Sequence, residues 1–170
     1  SSSLKYQCSQ FLLNYFFSRA DYYVGVSPIF EELYRQSQLP SNRFKLIPNG
    51  VDTNWFHPVL SSEKTMLRNQ LGLPEKMKLI LFVGHFSHEK SPFHLLDSWI
   101  KNVAKTYLDT GIVFIGSTNP NHYEVDTQLV NEIKKMADYY FNEKIFFIER
   151  TYEIEKYYQA ADIFAMPSSR

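Results

Sequence analysis

The chain has 170 residues, 44% hydrophobic and 21% charged, which is enough apolar material for one ordinary core and too much for a disordered tail. Lysine plus arginine and aspartate plus glutamate both total 18, giving a formal net charge of zero. That balance argues against a nucleic-acid binder, so any bound anion must be gripped locally by a few donors.

In chain order, Leu4, Cys8, Phe11, Leu12, Tyr15 and Phe16 repeat at helical spacing and predict an amphipathic first helix. Tyr22 to Val26 reads as a short strand, and Ser27-Pro28 opens a helix with serine at the N-cap and proline at the first helical position. A brief strand, Phe44 to Ile47, runs into the turn signal Pro48-Asn49-Gly50. Val51 to Pro58 reads as a connector, and a polar helix over Ser62 to Leu71 ends at Gly72. Lys78 to Val83 is the kind of apolar strand that is buried on both faces of a parallel sheet. Helices are predicted at Pro92 to Thr106, Thr127 to Tyr140 and Tyr152 to Ala160, and strands at Ile112 to Ile115, Lys144 to Ile148 and Asp162 to Ala165.

This alternation implies an α/β fold, a doubly wound parallel sheet of Rossmann-like type. The expected boundaries are a leading segment 1–48, a connector 49–58 and an α/β domain 59–170. Ligands of such sheets lie beyond the carboxyl ends of the strands. That rule singles out the loops Gly84 to Ser91, Gly116 to Asn121, Glu149 to Thr151 and Met166 to Arg170.

Composition adds two further expectations. Cys8 is the only cysteine and no Asn-X-Ser/Thr sequon occurs, which together favour a cytoplasmic address. The longest clean apolar run, Leu79 to Val83, is far short of the ~20 residues that cross a bilayer. Aromatic residues reach 16%, with 14 Phe and 12 Tyr, and many lie between Tyr6 and Tyr23. That cluster reads either as a face awaiting a partner or as plain core packing.

Gly84 follows a buried strand and permits close approach to the backbone, while Lys90 at the mouth of the next helix suits a phosphate. Taken singly, a glycine followed by a lysine is a weak signal, and a solvated loop lysine is the competing reading. His85 and His88, with His94 beyond, have no carboxylate or cysteine set at a recognised ligand spacing, so no metal is expected. His85 reads instead as a donor near the same anion, or as a surface histidine without a role. Asn49, Gly50 and Asp52 read as a turn, with Asp52 either an N-cap or a charged cleft residue.

The order of four segments carries more weight. Ala20 to Ser27 is followed by Ile47-Pro48-Asn49-Gly50-Val51-Asp52 with Phe56, then Phe82-Val83-Gly84 with Glu89-Lys90, then Tyr158-Gln159-Ala160-Ala161-Asp162-Ile163-Phe164-Ala165-Met166-Pro167-Ser168. Together they resemble the family 4 retaining glycosyltransferases, the glycosyl transferases group 1, with their two-domain GT-B fold. The resemblance implies that the chain is a fragment, holding the end of an acceptor-side N-terminal domain and an incomplete nucleotide-sugar-binding C-terminal half.

It implies retaining transfer of a sugar from a nucleotide diphosphate sugar donor, with no cofactor and no metal, and an inactive fragment. Gly84, His85 and Lys90 would face the donor diphosphate, with His85 standing where relatives carry arginine. Glu149, Arg150 and Thr151 would lie near the nucleotide base, and Asn49, Gly50 and Asp52 at the hinge between domains. The catalytic residues are expected outside the chain, the glutamates beyond Arg170. The acceptor, a sugar, a lipid or another group, is not specified, and peripheral membrane contact would come through the N-terminal domain. The alternatives are a flavodoxin-like nucleotide- or phosphate-binding module without catalysis, and a sugar-nucleotide epimerase or phosphorylase on a related scaffold.

Overall fold

The computed structural model describes residues 15, 17–37 and 39–169, which form two compact units, 1–51 and 52–170. All of the predicted first helix except Tyr15 lies outside the described residues, and so does much of the Tyr6 to Tyr23 cluster.

In the first unit, strands β1 (Tyr23–Gly25) and β2 (Phe44–Leu46) pair in parallel, with Tyr23 opposite Phe44. Helix α1 (Pro28–Gln36) connects them. Tyr34 packs between Tyr23 and Phe44 with ring centroids 5.0 Å from each, and its hydroxyl donates to Pro40 O at 2.8 Å. The expected N-cap hydrogen bond is absent: Ser27 has the extended backbone of a cap, but its side chain bonds to none of the helix N–H groups. Pro28 at the first position already lacks an N–H, which leaves one donor fewer to satisfy.

In the second unit, α2 (Ser61–Gln70) precedes β3 (Lys78–Val83), α3 (Pro92–Asn102), β4 (Thr110–Ile115), α4 (Thr127–Phe141), β5 (Ile145–Ile148), α5 (Ile154–Ala160) and β6 (Ile163–Phe164). The sheet is parallel throughout, in the order β5-β4-β3-β6. In chain order those strands run third, second, first, fourth, as in a Rossmann sheet; a flavodoxin-like sheet would place its second strand at the edge.

The doubly wound character is written into alternate side chains. Phe82, Ile112 and Phe114 point to one face, where Leu96, Trp99, Ile100, Val130 and Ile133 of α3 and α4 cover them. Leu79, Leu81, Val113 and Ile115 point to the other, where Leu73, Tyr157 and Ala160 cover them. Burial on both faces explains why these strands are uninterrupted apolar runs rather than alternating ones.

Several boundaries differ from expectation, and two have a visible cause. Helix α3 stops at Asn102, because the N–H groups of Val103 and Ala104 both turn back to Trp99 O and the chain goes on through turns to Tyr107. Strand β6 pairs only through Ile163 and Phe164, although Asp162 N–H and Ala165 N–H still donate to Leu79 O and Leu81 O at 2.9 Å each.

The polar helix α2 hides a structural cation. Arg68 is 4% exposed, and its guanidinium donates to Ala160 O at 2.9 Å, to Glu75 O and Met77 O at 2.8 Å each, and to Asp162 Oδ2 at 2.7 Å. Leu79 N–H donates to the same Oδ2 at 2.9 Å, and Lys64 Nζ lies 3.3 Å from Oδ1. One guanidinium therefore ties α2, the approach to β3 and the start of β6 together. Burial is the largest influence on the Asp162 carboxyl and pushes its pKa up. The Leu79 N–H, Arg68 and Lys64 act together in the opposite direction and hold it below the ordinary carboxylate value.

Candidate functional site

The winding of the sheet changes direction between β3 and β6, and the loops after those strands diverge there. Four chain segments meet at this carboxyl edge. The loop after β3 is tied to the segment after β6 by Ser169 N–H donating to Glu89 O at 3.0 Å, with Ser168 Oγ 3.2 Å from the same oxygen. It is tied to the loop after β4 by Asp126 N–H donating to Phe86 O at 2.9 Å. The loops after β4 and β5 are joined by Glu149, whose carboxylate accepts from Thr118 N–H and from Thr118 Oγ1, while Lys134 Nζ lies 3.4 Å from that hydroxyl.

Gly84 and Lys90 lie against each other. A Cβ built on Gly84 would lie 3.7 Å from Lys90 Cγ and 3.3 Å from the Phe82 ring, so the lysine stem runs over the glycine. Lys90 is half-buried, and among the described residues no carboxylate or carbonyl accepts from its ammonium. The neighbouring Ser91 has a left-handed backbone (φ 56°), is buried, and donates from Oγ to His88 O at 2.8 Å. This strained residue sets the angle at which Lys90 leaves the loop and α3 begins.

Of the other expected residues, His85 has Nε2 2.9 Å from Glu124 Oε2, its ring stacked on His122 at 4.9 Å, and Nδ1 buried without a hydrogen-bond partner among the described residues. Neither His88 nor His94 is its neighbour in this cluster; His88 Nε2 sits 3.3 Å from Asp126 Oδ2. The Glu149 side chain is occupied by Thr118, the Arg150 guanidinium lies 5.6 Å from the Tyr152 ring centroid, and Thr151 Oγ1 accepts from Glu153 N–H at 3.1 Å. What that loop still offers a ligand is its backbone. Asp52 Oδ1 accepts from Asn54 N–H at 2.9 Å, so it caps a local turn, while Gly50 faces open space and Asn49 precedes it in the first unit.

The sequence names Gly116 only as the start of a ligand loop and gives it no role of its own. A Cβ there would collide with Gly84 O, so the ends of β3 and β4 approach closely only because this residue has no side chain. A Gly directly after an apolar strand was the available signal, since it matches Gly84 after β3. A concavity bordered by Phe56, His57, Lys64 and Tyr158 opens at the amino end of β6. It is the wrong edge of the sheet for the ligand site of such a fold.

The strand order and the helices on both faces define a Rossmann-like parallel α/β domain. Residues 63–170 match the glycosyl transferases group 1 family, and the chain belongs to that family. The spore coat protein SA of Bacillus subtilis is 31% identical over 142 residues, covering 78% of this chain and 36% of that protein. The alpha-galactosylglucosyldiacylglycerol synthase of Streptococcus pneumoniae is 26% identical over 157 residues, covering 90% of this chain and 39% of that protein. The chain thus spans well under half the length of these relatives. Among solved structures, Anabaena Alr3699/HepE in complex with UDP superposes with a TM-score of 0.70 at 19% identity, covering 89% of this chain and 39% of that one. Sucrose-phosphate synthase from Thermosynechococcus elongatus superposes with a TM-score of 0.69 at 22% identity, covering 93% and 37%. These likenesses place the fold among GT-B glycosyltransferases. No helix among the described residues is long and apolar enough to cross a membrane.

Proposed function

We propose that the protein is a retaining glycosyltransferase that moves a sugar from a nucleotide diphosphate donor to an acceptor, with the donor diphosphate lying against Gly84 and Lys90. The observation that carries the reading is the half-buried Lys90 side chain, whose stem lies over Gly84, whose ammonium has no acceptor among the described residues, and which stands at the switch point of the sheet. A cation held at that place without a partner is available to an anionic ligand. As the diphosphate leaves, a preorganised cation stabilises the charge that develops on it. Backbone groups of residues 149–151 would meet the base, the side chains of Glu149 and Thr151 being engaged by Thr118 and Glu153. Alr3699/HepE binds UDP and UDP-glucose, which makes uridine the first base to test. The donor is a substrate, and the transfer calls for no organic cofactor. A cytoplasmic enzyme working on a peripheral membrane acceptor suits the single cysteine of this chain and the lipid in the name of the pneumococcal relative.

The test is sugar transfer from UDP-glucose by the full-length enzyme. Lys90→Ala is expected to lower turnover by about 100-fold or more, the loss typical of one preorganised charge-stabilising donor, with Lys90→Arg recovering part of it. Wild-type turnover in Lys90→Ala would refute the assignment.

A further inference from the structure

The loop after β3 and the loop after β4 bring together three metal-binding side chains that are far apart in the sequence. His85, His122 and Glu124 each present a ligand atom, and these atoms all lie within 4.8 Å of one another. Two imidazoles and one carboxylate form the donor set of many sites for zinc, manganese or ferrous iron, with coordination positions left open for water or an anion. We propose that His85, His122 and Glu124 form a binding site for a divalent transition-metal ion.

The backbone fixes this juxtaposition. The Asp126 N–H bond to Phe86 O pins the two loops one residue beyond His85 and two beyond Glu124. His122 N–H donates to Asn119 O at 3.1 Å and Val125 N–H to His122 O at 3.0 Å, a pair of turns that holds His122 and Glu124 on the same side of their loop. Asp126 in turn caps α4 by accepting from Gln128 N–H at 2.9 Å and Leu129 N–H at 3.1 Å. The loop is therefore anchored at the helix, and the cluster stands on a built platform.

Ligand atoms around a tetrahedral zinc sit about 3.3 Å apart for metal–nitrogen bonds of about 2.0–2.1 Å. His85 Nε2 and Glu124 Oε2, at 2.9 Å, are already that close. Closing the remaining spread takes a rotation of the His122 side chain, which gives up the 3.4 Å contact between Glu124 N–H and its Nδ1 and shifts its ring against His85 and Tyr123, now stacked at 4.9 and 5.3 Å. The side chains of His85 and Glu124 are 39% and 42% exposed, so an ion has a way in.

A pairing of His85 with His88 and His94 offers no carboxylate, and on that pairing the sequence excludes a metal. The fold replaces both partners. The inference goes beyond the proposed sugar transfer and stands or falls without it, because it concerns ion binding alone.

The test uses full-length, tag-free enzyme stripped with chelator and titrated calorimetrically with ZnCl2 and, separately, MnCl2. One ion per chain is expected for at least one of the two, with affinity lowered at least tenfold in His122→Ala and in Glu124→Gln, and unchanged in His94→Ala. Cobalt(II) loaded into the wild type in place of zinc should give visible d–d absorption, a readout that does not depend on how any variant folds. No binding by the wild type, or binding that survives both cluster substitutions, would overturn the site. Nucleotide binding, measured separately in chelator, decides the sugar-transfer reading independently.

Discussion

Two cations separate structure from function at the level of single residues. Arg68 is buried and saturated, with carbonyls of α5 and of the segment before β3 and the Asp162 carboxylate around it. Lys90 is half-buried and has no such set among the described residues. A saturated cation holds a fold together, whereas an unsaturated one at a loop is available to a ligand. Asp162→Asn removes the charge partner of a buried guanidinium and is expected to cost about 3 kcal/mol near neutral pH in chemical denaturation. Because the folded carboxyl is held below its unfolded value, its contribution is present above the unfolded pKa and is lost as pH falls through the folded one. The stability gap between wild type and Asp162→Asn should therefore narrow on acidification, and a gap constant with pH would contradict the ion pair as its source.

Among the elements, the sheet was legible in the sequence and the loops were not. Leu79 to Val83 and Ile112 to Ile115 read directly as buried strands, because burial on both faces leaves an unbroken apolar run. Arg68 was invisible for the opposite reason: an arginine in a polar helix looks solvated, and its acceptors come from residues 7 to 94 positions away. His122 and Glu124 carry no periodic signal, and the predicted loop Gly116 to Asn121 stops just before them. Only the pairing of β3 with β4 brings them to His85. Gly84 and Lys90 were legible because both lie within one loop. At the junction of these two strands, Gly116→Ala would push a methyl group into Gly84 O and strain the Gly84 N–H bond to Ile115 O, 2.9 Å long. The variant is expected to lose about 1–3 kcal/mol, read as a lower melting temperature. An unchanged melt would mean that the strand ends separate freely.

For the molecule as a whole, the strand order β5-β4-β3-β6 and its two apolar faces set the switch point, and the switch point sets where a ligand belongs. The switch point of the fold and a lysine with no acceptor among the described residues lie at that one edge. The first unit, with its exposed Tyr22, Val24, Ile29, Phe30 and Leu33, shows that much apolar surface in this chain lies outside the α/β core. The central claim is that a nucleotide diphosphate lies against Lys90, and calorimetric titration of the full-length enzyme with UDP tests it most directly. Saturable binding by the wild type and at least a tenfold weaker affinity in Lys90→Ala, with an unchanged melting temperature, are expected; equal affinity in the two proteins would contradict a diphosphate site at Lys90.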